Sequence, residues 1–201
     1  MGDVIPFCSK RMQWTKANNA LDDAFFFNRG IGPVEKAKAI RNYFASDDAD
    51  APFPIVHLAN RLGIKVYKDD LSGIKSIPNL KGYLALKPDD APVIVVSKHE
   101  SIGHQRWTVA HEIWHYLDEG DREIDDMVFF TEVGDYDNNS DEAENNATMF
   151  AAELLMPAKE FKRLWNSFER SEVDDAMIYL RDRFGVSLTA VQRRASSLKL
   201  A

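Results

Sequence analysis

Apolar positions recur every three or four residues in several stretches of the chain and alternate or run together in others, a pattern that predicts a mixed α and β fold. Residues 34–44 place Val34, Ala37, Ile40, Tyr43 and Phe44 on one side of a helix. Residues 54–62 do the same with Ile55, Leu58, Ala59 and Leu62, and Gly63 supplies a stop. Residues 64–67, 82–86 and 93–96 have the length and β-branched content of strands, the last two joined by the turn-rich segment 87–92. A further helix starts near His104, and residues 141–157 form an apolar helical run opened by acidic residues. Residues 172–184, Gly185 as a turn, Ser187 as an N-cap and residues 188–198 have the cadence of a helix-turn-helix. The pattern describes a small α+β unit flanked by helical N-terminal and C-terminal parts, divided as residues 1–51, 52–157 and 158–201. Asp47, Asp48, Asp50 and Pro52 read as the first linker.

The helix near His104 carries His111, Glu112, Ile113, Trp114 and His115, an H-E-x-x-H motif. Imidazoles four residues apart lie one turn apart on the same face, about 6 Å from each other, so their nitrogens can converge on one ion. Glu112 sits about 100° round the helix, where it reaches a water on that ion more naturally than the ion itself. That arrangement suits metal-assisted hydrolysis, with the ion acidifying water and the carboxylate taking its proton. Only 5 histidines occur in 201 residues, so an accidental match is improbable.

A catalytic zinc takes three protein ligands and keeps a fourth position open, so one more ligand is required. Glu144, Ala147, Ala151, Leu154 and Leu155 form one stripe of the 141–157 helix, which places the Glu144 carboxylate at the head of a buried face. A charge there needs something positive to meet it, and Glu144 is the first choice as third ligand. Glu142 shares its stripe with Asn146, Met149 and Glu153, which reads as a mostly solvated face. Asp118, one turn beyond His115, reads as an orienting or solvated residue rather than a ligand.

With these residues in view, the chain resembles the ImmA/IrrE family of zincin-like metallopeptidases. The resemblance rests on R-W-T-V-A-H-E-I-W-H (residues 106–115) and E-N-N-A-T-M-F-A-A-E-L-L-M-P (residues 144–157), and it covers roughly residues 52–200. Trp114 replaces a small residue usual at that position and is expected to narrow the cleft, while Asn146 and Thr148 replace a common Glu and Asn; no ligand is lost. The resemblance implies a zincin-like core, a small sheet beside the H-E-x-x-H helix, and one zinc per chain held by His111, His115 and Glu144 with Glu112 as base. It also implies a regulatory protease that cuts a helix-turn-helix transcriptional repressor or antitoxin-like partner, in the setting of mobile elements or stress responses. The competing expectation is a zinc-stabilised antirepressor or toxin-like binding module with little proteolysis; the intact Glu112 favours the enzyme.

Composition narrows the setting. The chain is long enough, and at 45% hydrophobic content apolar enough, to bury a core. Cys8 is the single cysteine, so no intramolecular disulfide forms and a cytoplasmic protein is expected. No run reaches the ~18 apolar residues of a membrane span, and the N-terminal residues do not read as a signal peptide. The net charge of −7 is more than accounted for by residues 119–141, which hold nine acidic residues and one arginine. That segment also contains Met127, Val128, Phe129 and Phe130, and admits two readings: an excursion near the cleft, a lid or grip for substrate, and the favoured one, a disordered or surface-packed loop with a short strand.

The C-terminal pair of helices offers DNA binding as a further class. Residues 171–201 carry five basic against four acidic residues, too thin a surplus for phosphate neutralisation, so packing or repressor docking is the better reading. His57 reads as structural. His99, His104 and Tyr136 are outside candidates for stabilising an oxyanion.

Overall fold

The computed structural model describes residues 30–44, 51–74, 77, 79–87, 90–119, 127–132 and 142–201. It is an α+β structure. Helix α1 (Pro33–Tyr43) begins with proline at the first helical position, where its missing N–H costs nothing, and has Glu35 in its first turn and Arg41 in its last. Helix α2 (Ile55–Arg61) ends at Gly63, which adopts φ +76°, a left-handed conformation that favours glycine. Strands β1 (Lys65–Asp69), β2 (Leu80–Leu86) and β3 (Val93–Ser97) follow, with a 3-10 turn at Leu71–Gly73 between the first two. The long helix α3 (Ile102–Glu119) leads to β4 (Met127–Glu132) and then to α4 (Glu142–Leu155), α5 (Ala158–Trp165), α6 (Val173–Phe184) and α7 (Leu188–Ser197).

The four strands lie in the order β1-β3-β2-β4. The β1–β3 pair is parallel, with Lys65 opposite Val93, while β2 runs antiparallel to both β3 and β4. Within the 119–141 segment, Glu119 ends α3 and residues 127–132 form the edge strand β4; the rest, Tyr136 included, lies outside the described residues. The β2–β4 register shifts between Leu80 and Gly82, a bulge at Lys81. The extra residue changes which face the neighbouring side chains take. Leu80 packs with Leu71 and Val95 on the outer face, whereas Leu84, Leu86, Ile94 and Val96 face the main core.

Helix α3 lies against the core face of β2 and β3. The approach is close enough to require glycine at position 82, because a Cβ there would come within 2.5 Å of Thr108 Cγ2 and 2.7 Å of the Val95 carbonyl oxygen. On its other side α3 packs along α4, and α4 packs along α1. Ala37 and Ile40 of α1 are fully buried in the same cluster as Ile113, Leu117, Ala151 and Leu154, so α1 shares one core with the metal-motif helix. Arg41 strengthens that contact by donating from Nη1 to the Leu154 carbonyl oxygen at 2.7 Å, satisfying a last-turn acceptor of α4.

The C-terminal helices are built into the same body. Gly185 caps α6 in the left-handed region (φ 63°, ψ 41°), and the Ser187 hydroxyl caps α7 by accepting from the Ala190 amide at 3.2 Å. The turn between them lies on the first turn of α3: a Cβ on Gly103 would fall 2.4 Å from the Val186 carbonyl carbon. Arg106 completes the attachment. Its Nε donates to the Gly185 carbonyl oxygen at 2.8 Å and its Nη2 to the Phe53 carbonyl oxygen at 2.7 Å, while burial lowers its pKa from the usual arginine value. The arginine that precedes the H-E-x-x-H motif thus ties α3 to the α6–α7 turn and to the entrance of α2.

One face of α4 departs from expectation. Glu153, expected on a solvated stripe, is 4% exposed and is met by the Arg194 guanidinium of α7 and, at 3.3 Å, by the Ala158 amide. Arg194 also donates through Nε to the Met156 carbonyl oxygen at 3.0 Å. A partner distant in sequence converts a position that periodicity assigns to solvent into a buried ion pair.

Candidate metal centre

His111 and His115 point the same way because they are one turn apart on α3, and packing leaves each 4% exposed. Their Nε2 atoms lie 3.1 Å apart, with ring centroids 4.9 Å apart. Glu144 enters from the first turn of α4, where its Oε2 lies 3.0 Å from His111 Nε2 and its Oε1 3.1 Å from His115 Nε2. These three residues form the one group of potential ligands found among the described residues. The expected stripe holds: Ala147, Ala151, Leu154 and Leu155 below Glu144 are all fully buried, while the Glu144 side chain itself is 47% exposed at the surface end.

Ordinary hydrogen bonding accounts poorly for this triangle. Two ring nitrogens face each other and also face a carboxylate, yet each nitrogen carries at most one proton and can direct it at one acceptor. A metal ion explains the convergence more simply. Ligand bonds of 2.0–2.2 Å at tetrahedral angles place ligand atoms about 3.3 Å from one another, close to the separations seen here. Two imidazoles and a carboxylate are a donor set that catalytic zinc sites use.

The electrostatics divide the two glutamates. Hydrogen bonds to His111 and then His115 hold the Glu144 carboxyl well below the usual range, so it is ionised. Glu112 is wholly buried, and burial first, with the Glu144 charge adding to it, pushes its carboxyl well above the usual range. Burial also lowers the pKa of His111, against the raising effect of its bond to Glu144, which favours the neutral imidazole that a metal requires.

The other candidates lie elsewhere. Glu142 is exposed on the first turn of α4, and Asp118 is half-buried beyond His115; neither joins the ligand group. His99 is exposed and pairs through Nε2 with Asp70 Oδ1 at 3.1 Å. His104 bonds through Nδ1 to Glu100 at 3.1 Å and sits two turns before His111, about 10 Å along the helix axis. Both are therefore engaged away from the triangle. His57 is exposed and packs edge-on to Phe44. Trp114 corrects a further expectation: it is 3% exposed, lies 5.6 Å from the Phe150 ring and points into the core rather than narrowing a cleft.

Comparison with known families agrees with this geometry. Residues 59–196 match the IrrE N-terminal-like domain, Peptidase_M78. The match spans well over half of the chain, and the protein belongs to this peptidase family. No curated protein sequence matches the chain significantly. Helix α1 precedes the matched region, although its residues share the core on which the ligand helices rest.

Proposed function

We propose that the protein is a zinc-dependent endopeptidase with a zincin-like core that makes a selective cut in a helix-turn-helix transcriptional repressor. The observation that carries the reading is the convergence of His111 Nε2, His115 Nε2 and the Glu144 carboxylate at 3.0–3.1 Å, with Glu112 next to His111 on the same helix. His111, His115 and Glu144 would hold the ion. The chemistry supplied by a bound zinc is acidification of water and polarisation of the scissile carbonyl. Glu112 takes the proton from the attacking water on its carboxylate and delivers it to the departing amine nitrogen, as general base and then general acid. The buried surroundings of Glu112 keep bulk water away from that transfer. Strand β4, at one edge of the sheet and next in the chain after α3, offers backbone donors and acceptors with which an extended peptide can pair.

Family membership and the charge distribution support the choice of substrate. A DNA-binding repressor is basic, and the nine acidic residues of 119–141 would attract it at long range. The single cysteine suits a reducing cytoplasm, and no helix among the described residues is long and apolar enough to cross a membrane.

The test is incubation of the purified zinc-loaded chain with a helix-turn-helix repressor encoded beside it, with and without chelator, alongside Glu112→Gln. The expected result is one cut, abolished by chelator and by the substitution, while Glu112→Gln keeps its zinc. Tight repressor binding with no cut, unchanged by chelator, would replace the protease reading with an antirepressor one.

A further inference from the structure

Lys36 of α1 is fully buried, and its Nζ lies 5.0 Å from the centre of the Trp114 indole. Phe150 of α4 reaches the same indole at 5.6 Å. Three helices therefore meet at one ring: α3, which carries His111 and His115; α4, which carries Glu144; and α1, which carries no ligand. Trp114 immediately precedes His115 on α3, so the joint lies on the flank of the helix face that carries the two histidines. The indole Nε1 is buried and finds no hydrogen-bond acceptor among the described residues, so ring contacts fix the orientation of Trp114. A lysine cation over an indole is attracted by the electron-rich face of the ring, which constrains where the ring sits.

We infer that Lys36 is a positioning residue of the metal centre, acting through Trp114 to set how α3 lies against α4 and hence how closely His111, His115 and Glu144 converge. The inference rests on the metal reading given above. It makes α1, which lies outside the family-matched residues, a working part of the site. Arg41 adds a second attachment, because its bond to the Leu154 carbonyl fixes α1 on α4. A change that leaves the core filled but removes the cation should then loosen the ligands without touching them.

The experiment measures zinc affinity by chelator competition, together with unfolding of the zinc-free protein, for the full chain, Lys36→Met, Trp114→Leu and the double variant. Methionine is unbranched, only one atom shorter than lysine, and fills most of the same space. Zinc should bind Lys36→Met about tenfold more weakly, the lower end of what loss of a residue supporting a metal ligand costs. The double variant should lose little more than the worse of the two single variants, since both break one joint. Unchanged affinity in Lys36→Met, whatever happens to its melting, would assign Lys36 a packing role alone and overturn the inference. Simple additivity of the two losses would overturn it as well. If the unsubstituted chain binds no zinc, the metal reading itself fails and this inference with it.

Discussion

Arg194→Met should destabilise the protein far more than its place on a C-terminal helix suggests. In the folded state the Arg194 guanidinium meets Glu153, and both side chains are almost wholly buried, 10% and 6% exposed. Removing the cation leaves a carboxylate with the Ala158 amide as its remaining hydrogen-bond donor among the described residues, at 3.3–3.4 Å. Breaking one side of a buried pair costs about 3–5 kcal/mol. The lost Arg194 bond to the Met156 carbonyl falls within that figure, since the same side chain makes both contacts. For a chain of this size each kcal/mol moves the melting temperature by roughly 2–4 °C, so calorimetry should show a drop of about 6–20 °C. The double variant Glu153→Leu/Arg194→Met removes both charges and should recover most of the loss, because apolar replacement of a buried pair is often neutral or better. A single variant that melts within about 2 °C of the parent, or a double variant as unstable as the single, would refute the view that an unpaired buried carboxylate sets the cost.

Other expectations concern the site and its supports. Glu144→Ala should lose most of its bound zinc, measured by metal content after gel filtration, while Glu142→Ala keeps about one ion per chain; equal retention removes Glu144 from the ligand set. Gly103→Ala should cost about 1–3 kcal/mol in denaturant unfolding, since the new methyl meets the Val186 backbone at 2.4 Å; a neutral result would mean that the α6–α7 turn does not rest on α3. Burial lowers the pKa of His104 against the raising effect of Glu100 and with the lowering effects of Lys81 and Arg193. The folded state then binds fewer protons than the unfolded one, so stability from this group is present above the unfolded value of about 6.5 and is lost as pH falls through the folded value. His104→Asn should accordingly flatten the acid side of the stability profile, and an unchanged profile would count against that assignment.

The clustering of His111, His115 and Glu144 is legible in the sequence because its information is local. His111 and His115 are placed by a helical repeat, and Glu144 by an apolar stripe whose members all prove buried. Most helices and the three upstream strands were read to within a few residues for the same reason. What escaped depends on partners remote in sequence. Glu153 has the spacing of a surface residue, and only Arg194, which arrives with α7, brings it inside. Trp114 adjoins His115, so a role in the cleft is the natural expectation, but its direction is decided by Lys36 and Phe150 on two other helices. Lys36 stands one turn before Ile40, and its burial shows only once other helices pack on that side of α1. Helix α5 is too short for its periodicity to stand out, while β4 matches the short strand offered as the alternative reading of residues 119–141.

The Arg106 guanidinium joins carbonyl groups of Phe53 and Gly185, residues near opposite ends of the described chain, through the helix that bears both histidines. An opening fluctuation that frees α6 and α7 must break this junction, uncover the backbone beside Gly103 and expose the Arg194–Glu153 pair together. The C-terminal helices and the histidine helix therefore belong to one cooperative unit, in which amide protons exchange through a shared, near-global opening. A helix-turn-helix by its cadence thus behaves, in energetic terms, as the keystone of the catalytic body rather than as a module hung upon it.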